Sequence, residues 1–297
     1  MTTGSTELLV AGSVALDTRD GPFGKVNEAL GGSAVYFALA ASLIVPVKVV
    51  APVGKDGVKR LAQAFSGRRI DTERLQILDA PTYRWRAHQE NGRNIDLGSS
   101  DNIYDSWSPS VPADFKGWAF VGSMRPDRQA QLMGMLVGAE LLAADAMLSY
   151  LHAQPPEARD VLARAGWFFC NQEEFAALGG KDTDEFRRRW WLQGLVVKAG
   201  PLGVAAYVED GTVGVPAITD REVVDTTGAG DALAGGMLAR WLSTGAERSG
   251  LLDALVWGVA CASITISSVG VKGIAHATRK DLDERVAEVE ECLRRES

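Results

Sequence analysis

Cysteine and histidine are scarce in this chain, with three of each among 297 residues. Cys170, Cys261 and Cys292 lie far apart, and an odd, scattered set argues against a disulfide framework and points to a reducing compartment. No pair has zinc-ligand spacing. His88, His152 and His276 are equally dispersed, which argues against a His-based metal site or a Ser-His-Asp triad. Basic charge is also in deficit. Lys and Arg number 31 against 38 Asp and Glu, a net charge of −7, so a general nucleic-acid surface is not expected. Met1–Glu7 is short and polar, without the basic start and apolar run of a signal peptide, and no apolar stretch reads as long enough to span a membrane. The expectation is a cytoplasmic protein without nucleic-acid or membrane partners.

Hydrophobic residues make up 46% of the chain, enough for a sizeable core. Short apolar runs (Leu8–Gly12, Val47–Val53, Trp118–Gly122, Leu142–Ala146, Trp167–Cys170, Leu195–Lys198, Val204–Val208) alternate with helix-period segments such as Val58–Phe65, Arg128–Val137, Pro156–Ala165 and Asp182–Gln193. That alternation predicts an α/β class with a mostly parallel central sheet and helices on both faces. After Val223 the chain reads as helical nearly to its end. Asp20-Gly21 and Asn91-Gly92 each sit between strand-like runs and read as hairpin turns. Residues 1–297 therefore read as one domain with a small β-rich lid, formed by insertions at about 11–28 and 80–110. A lid over the C-terminal edge of a parallel sheet is a natural ligand site.

The segment Asp225-Thr226-Thr227-Gly228-Ala229-Gly230-Asp231 joins a strand-like end, Glu222–Val224, to a helix. Glycines let an anion approach the backbone, and the first N–H groups of a helix lack intrahelical partners. With the helix dipole they form an anion site, beside which Asp231 could accept a proton from a hydroxyl. Taken by itself, the segment is equally a Gly-rich turn with Asp231 as a helix cap. It is not a Walker A loop, because the Gly-Lys-Ser/Thr ending is missing.

Four motifs in order resemble the ribokinase family, also called the PfkB carbohydrate kinases. The heptapeptide is similar to that family's C-terminal signature. Gly12-Ser13-Val14-Ala15-Leu16-Asp17, Gly31-Gly32-Ser33 and Val53-Gly54-Lys55-Asp56-Gly57 resemble its N-terminal signature. Asn171-Gln172-Glu173-Glu174 resembles its Asn-x-x-Glu motif, and Lys198 to Gly203 resembles its nucleotide-binding Gly-x-x-Gly turn. Together they span nearly the whole chain.

The resemblance implies a ribokinase-like fold and an ATP- and Mg2+-dependent kinase for a polyol, sugar or nucleoside. It implies Asp231 as base, with the amides of Gly228, Ala229 and Gly230 as the anion hole. Asp17, Gly31, Gly32 and Ser33 would hold acceptor hydroxyls, with Arg84 and Trp85 of the lid. Asn171 and Glu174 would lie near the triphosphate and its Mg2+, and Lys198, Gly200 and Gly203 on the nucleotide side. Asp225 and Thr227 match positions that hold a monovalent cation, often K+, in many members. Lids in this family often pair between subunits, which implies a homodimer.

Each match also has a plain structural reading. Asp17 could cap a turn, Ser33 a helix, and Asn171 with Glu174 could form a helix cap. Ser33 stands where family members often carry Asn or Lys, and Ser267–Gly273 matches the family's cation loop poorly. The leading expectation is phosphorylation of a hydroxymethyl group of a sugar or ribonucleoside. A cyclitol kinase and a non-catalytic binding protein are the alternatives.

Overall fold

The computed structural model describes residues 7–296. The reading of the first six residues as polar and signal-free lies outside them.

Leu8 and Val10 point into one apolar cluster and Leu9 and Ala11 into another. This period of two is what a strand buried on both faces requires. That strand, β1 (Leu8–Ala11), pairs parallel with β4 (Val47–Gly54) and with β8 (Trp118–Val121). The sheet continues from β4 to β5 (Ile70–Leu78) on one side. On the other it runs through β9 (Leu141–Asp145) and β10 (Trp167–Asn171) to β11 (Gly194–Lys198), all parallel. It ends in β12 (Val204–Val208) and β13 (Gly211–Val215), which are antiparallel. The nine strands thus form a mostly parallel sheet.

One face is covered by α1 (Ser33–Ser42), α8 (Ala229–Ser243), α9 (Leu251–Ile266) and α11 (Arg279–Glu296). The other is covered by α3 (Pro126–Met135), α5 (Pro155–Arg164) and α7 (Thr183–Arg189). The short helices α2 (Val58–Phe65), α4 (Leu148–Ala153), α6 (Gln172–Ala177) and α10 (Lys272–His276) fill the connections. α9 corrects one expectation. The stretch Arg248–Ile266 is apolar and long enough to cross a membrane by composition, but 67% of that window is buried inside the protein. It packs between α8 and α11, which is where a helix apolar all round belongs in a large globular domain.

A second sheet has four strands in the order β3-β2-β6-β7. These are β2 (Ala15–Gly21), β3 (Gly24–Gly31), β6 (Arg84–Glu90) and β7 (Arg93–Ser100). Asn91 and Gly92 both have positive φ, 51° and 72°, the geometry a two-residue hairpin turn needs. Two readings fail locally. Glu222–Val224 is irregular; Val224 and Asp225 donate N–H bonds of 2.8 and 3.2 Å to the carbonyl of Ile266 at the end of α9. β5 was not anticipated, because its sequence is largely polar and half exposed at the sheet edge.

Candidate active site

At the C-terminal ends of the parallel strands β9, β10 and β11, Asn171 lies opposite Lys198, and Asp145 ends β9 opposite Phe169, two residues short of Asn171. The N-terminus of α8 faces them. Gly228 is its N-cap, with φ 77°, and a Cβ there would lie 2.3 Å from the Tyr36 ring. Only glycine combines that conformation with that contact. A Cβ on Gly230 would lie 2.7 Å from Lys198 Nζ, so the ammonium sits beneath the loop. Asp231 is in the first turn.

The electrostatics are those of acids crowded around one base. Lys198 is held charged: burial opposes its charge, but Glu174, Asp145 and Asp231 outweigh that and raise its pKa. Burial pushes Asp231 up to about 6, against the pull of Lys198. Asp145 lies within hydrogen-bonding reach of Asp231 and is raised well above the carboxylate range by burial and by that neighbour. Two touching carboxyls share one proton, and Asp145 is the better holder of it. Asp231 is then the ionised partner near neutral pH. Asp145 was not singled out in the sequence, although the signal existed: an acid ends the apolar run Leu141–Ala144.

Asn171 and Glu174 form a reciprocal capping box at the start of α6. Each side chain accepts a 2.8 Å bond from the other's backbone N–H. The structural reading therefore holds for both, while Glu174 is also raised, first by burial, in the field of Lys198. Gly200 and Gly203 both have positive φ, 57° and 94°. A Cβ on Gly203 would strike Val215 O at 2.2 Å, whereas Gly200 faces open space. Leu202 between them is 79% exposed.

On the acceptor side, Asp17 lies inside β2 and caps no turn; the hairpin bends at Gly21–Gly24. It is buried, and its Oδ1 has no hydrogen-bond partner. A Cβ on Gly31 would lie 2.2 Å from Asp17 Oδ2, and one on Gly32, at φ 101°, would lie 2.4 Å from Ser13 O. Burial raises Asp17 to about 7; Arg19 lowers it, while Asp225 and Asp231 raise it. Asp17 and Asp231 thus sense each other across one site.

Three expected site residues are engaged elsewhere. Ser33 does not cap α1, since Gly32 is the N-cap. Its hydroxyl donates to Ser123 O at 2.9 Å and accepts from Ser13 N at 3.0 Å, which locks the turn rather than facing an acceptor. Arg84 bonds Asp56 at 2.7 Å, Glu28 at 3.0 Å and Thr82 O at 3.0 Å, tying the second sheet to the segment after β4. Trp85 packs on the core cluster that contains Tyr83 and Tyr104, with its indole N–H buried.

The expected cation position is also filled from within. Asp225 Oδ2 is ion-paired with Arg19 and accepts from Gly270 N at 2.8 Å; Oδ1 accepts from Thr227 N at 3.0 Å. The β6–β7 hairpin closes on the same loop. Gln89 accepts from Thr226 N at 3.1 Å and donates to Val224 O at 3.2 Å, and Asn94 donates to Thr227 Oγ1 at 3.1 Å. Arg93 reaches Glu173 of α6 at 2.9 Å. Arg19 and Gln89 were not legible as loop contacts, because nothing near them in sequence contains their partners.

The sequence and the fold both have counterparts among known proteins. A family model described as pfkB family carbohydrate kinase matches residues 16–277. A cytidine kinase from Thermococcus kodakarensis is 29% identical over 248 residues, covering 78% of this chain and 87% of that protein. An ATP-dependent ribose-1-phosphate kinase from Halopiger xanaduensis is 28% identical over 269 residues, covering 86% of this chain and 87% of that protein. The solved structure of the Methanocaldococcus jannaschii nucleoside kinase, an archaeal member of the ribokinase family, superposes with a TM-score of 0.76 at 19% identity. It aligns with 96% of this chain and 99% of that one, which establishes the ribokinase-like fold. The chain belongs to the pfkB family of carbohydrate kinases and is an ATP-dependent kinase.

Proposed function

We propose that this kinase transfers a phosphoryl group from ATP, entering as its Mg2+ complex, to the hydroxymethyl group of a ribonucleoside or sugar. The observation that carries the reading is the pairing of Asp231 with Asp17. One acid stands at the mouth of a Gly-rich helix N-terminus with a pKa near 6. The other holds a buried, unpartnered carboxylate oxygen and feels the charge of Asp231. An acceptor hydroxyl is the group that satisfies such an oxygen.

Asp17, with the backbone beside Gly31 and Gly32, orients the acceptor. Asp231 takes the proton of the attacking hydroxyl. The N–H groups of Gly228, Ala229 and Gly230 and the Lys198 ammonium meet the charge that develops on the transferring group. Among the described residues no three His, Cys, Asp or Glu side chains converge as a ready-made metal cage. Mg2+ would arrive on the triphosphate, whose charge it would neutralise, with Asp145 and Glu174 as the acids that would hold it. Gly200–Gly203 and the exposed Leu202 offer the surface for the nucleotide. The second sheet acts as a lid whose β6–β7 hairpin excludes water. Ile95 and Leu97 on its outer strand are exposed, 45% and 54%, and support a homodimer through the lid.

The named relatives favour a ribose-containing acceptor over a cyclitol, and the complete base and anion loop favour an enzyme over a binding module. The test is ADP release over a panel of ribonucleosides, sugars and cyclitols. Turnover with a ribonucleoside or pentose is expected, and Asp231→Asn should lower kcat by about 10²–10⁴-fold with ATP affinity nearly unchanged. A panel with no turnover above background sinks the reading.

A further inference from the structure

Arg19 is the most deeply buried cation among the described residues, 1% exposed, and Asp225 opposite it is equally buried. Isolated buried charges are costly; here Nη1 of Arg19 pairs with Asp225, while its Nε and Nη2 are buried without a hydrogen-bond partner. Here the pair sits at a junction. Asp225 opens the anion loop. Gly270, which donates to the same oxygen, belongs to the α9–α10 connection, and a Cβ there would lie 3.4 Å from Arg19 Nη2. Both segments are the ones where a monovalent cation was expected. The fit of such a cation to this chain is poor. Both Asp225 oxygens already have donors, and a guanidinium that cannot lose its proton supplies the positive charge.

We propose that Arg19 is a built-in replacement for the monovalent cation, a positioning residue that holds the Asp225–Gly228 loop, so that this kinase neither binds nor needs K+. The inference rests on the kinase reading for its rate prediction but not for its binding prediction. The guanidinium neutralises Asp225, and Asp225 in turn fixes the Thr227 N–H and the α9–α10 connection. The loop is therefore set before any ligand arrives. Arg19 also lowers the pKa of Asp17, against burial, so one side chain serves both the anion loop and the acceptor side. Its position on β2 explains the coupling: the strand that carries Asp17 delivers the cation two residues later.

Two readouts test this. Thermal unfolding of the ligand-free protein is followed in KCl and in tetramethylammonium chloride at equal ionic strength, the second ion being too large for a carboxylate cage. Turnover, with the best acceptor from the panel, is measured in the same salts by direct chromatography of ADP. Wild type should show the same midpoint and the same kcat in both salts. Arg19→Ala should lose about tenfold or more in kcat in tetramethylammonium. K+ should restore part of that loss and raise its unfolding midpoint. Arg19→Lys should remain indifferent to K+. A K+-specific rise in midpoint or rate for wild type overturns the proposal. So does an Arg19→Ala protein impaired equally in both salts, which would make the pair purely structural. If Arg19→Ala does not fold, the wild-type and Arg19→Lys results still decide, and an absence of turnover leaves the unfolding comparison intact.

Discussion

A buried carboxylate with an unpartnered oxygen favours its protonated form, and Asp17 is in that position at the centre of the second sheet's first strand. Its pKa in the folded protein, about 7, lies above the ordinary 3.8, so the native state binds the proton more tightly than the unfolded chain. Stability contributed by this group is therefore greatest at low pH and declines as pH rises from about 4 through 7. Replacement by Asn removes that slope. Between pH 5 and pH 8, Asp17→Asn should gain about 2–3 kcal/mol relative to wild type in urea unfolding, while acceptor KM rises. A constant difference across that range would show that Asp17 is not held in this state. Burial of a carboxylate at a stability cost is what a site tuned for hydroxyl recognition would retain. For Asp231 in catalysis the dependence runs the other way: a base with a pKa near 6 works in its ionised form, so rate should rise with pH through that value.

At the scale of elements, the N-terminus of α8 is the part of the site most dependent on backbone geometry. Gly228 combines a left-handed conformation with a ring 2.3 Å from where a Cβ would stand. Gly228→Ala should lower stability by about 1–3 kcal/mol and reduce kcat at least tenfold, because the anion loop must move to relieve the clash. A protein of unchanged midpoint and rate would mean that the loop has slack the structure does not show. This element was legible in advance: glycines, a following helical period and an acid in the first turn carry their meaning locally. The ends of the loop were not. Glu222–Val224 reads as a strand but is held irregularly by Ile266, more than 40 positions away in sequence. Arg19 meets Asp225 across 206 positions, and Gln89 meets Thr226 across 137. Such contacts are set by how the two sheets meet, which no local pattern encodes.

Across the whole molecule, the alternation of apolar runs and helical segments made the α/β class readable, since strands buried on both faces must be short and continuously apolar. The edge strands escaped, because β5 is largely polar and β13 is a short glycine-containing strand, both exposed along much of their length where solvent replaces a neighbour. The family resemblance implies acceptor contacts for Ser33 and for Arg84 of the lid. The structure instead has Ser33 closing a serine network and Arg84 joining the second sheet to the body through Asp56, with a further bond to Glu28 inside that sheet. The reading proposed for the whole molecule is that an acceptor hydroxyl meets Asp231 between the anion loop and Asp17, with the lid above. The most direct test is proton-coupled 31P NMR of the product formed from ATP and the best ribose-containing acceptor. The account predicts a phosphate signal split into a triplet by the two protons of a hydroxymethyl carbon, absent with Asp231→Asn. A doublet from a secondary carbon, or an undiminished product with that variant, would contradict it.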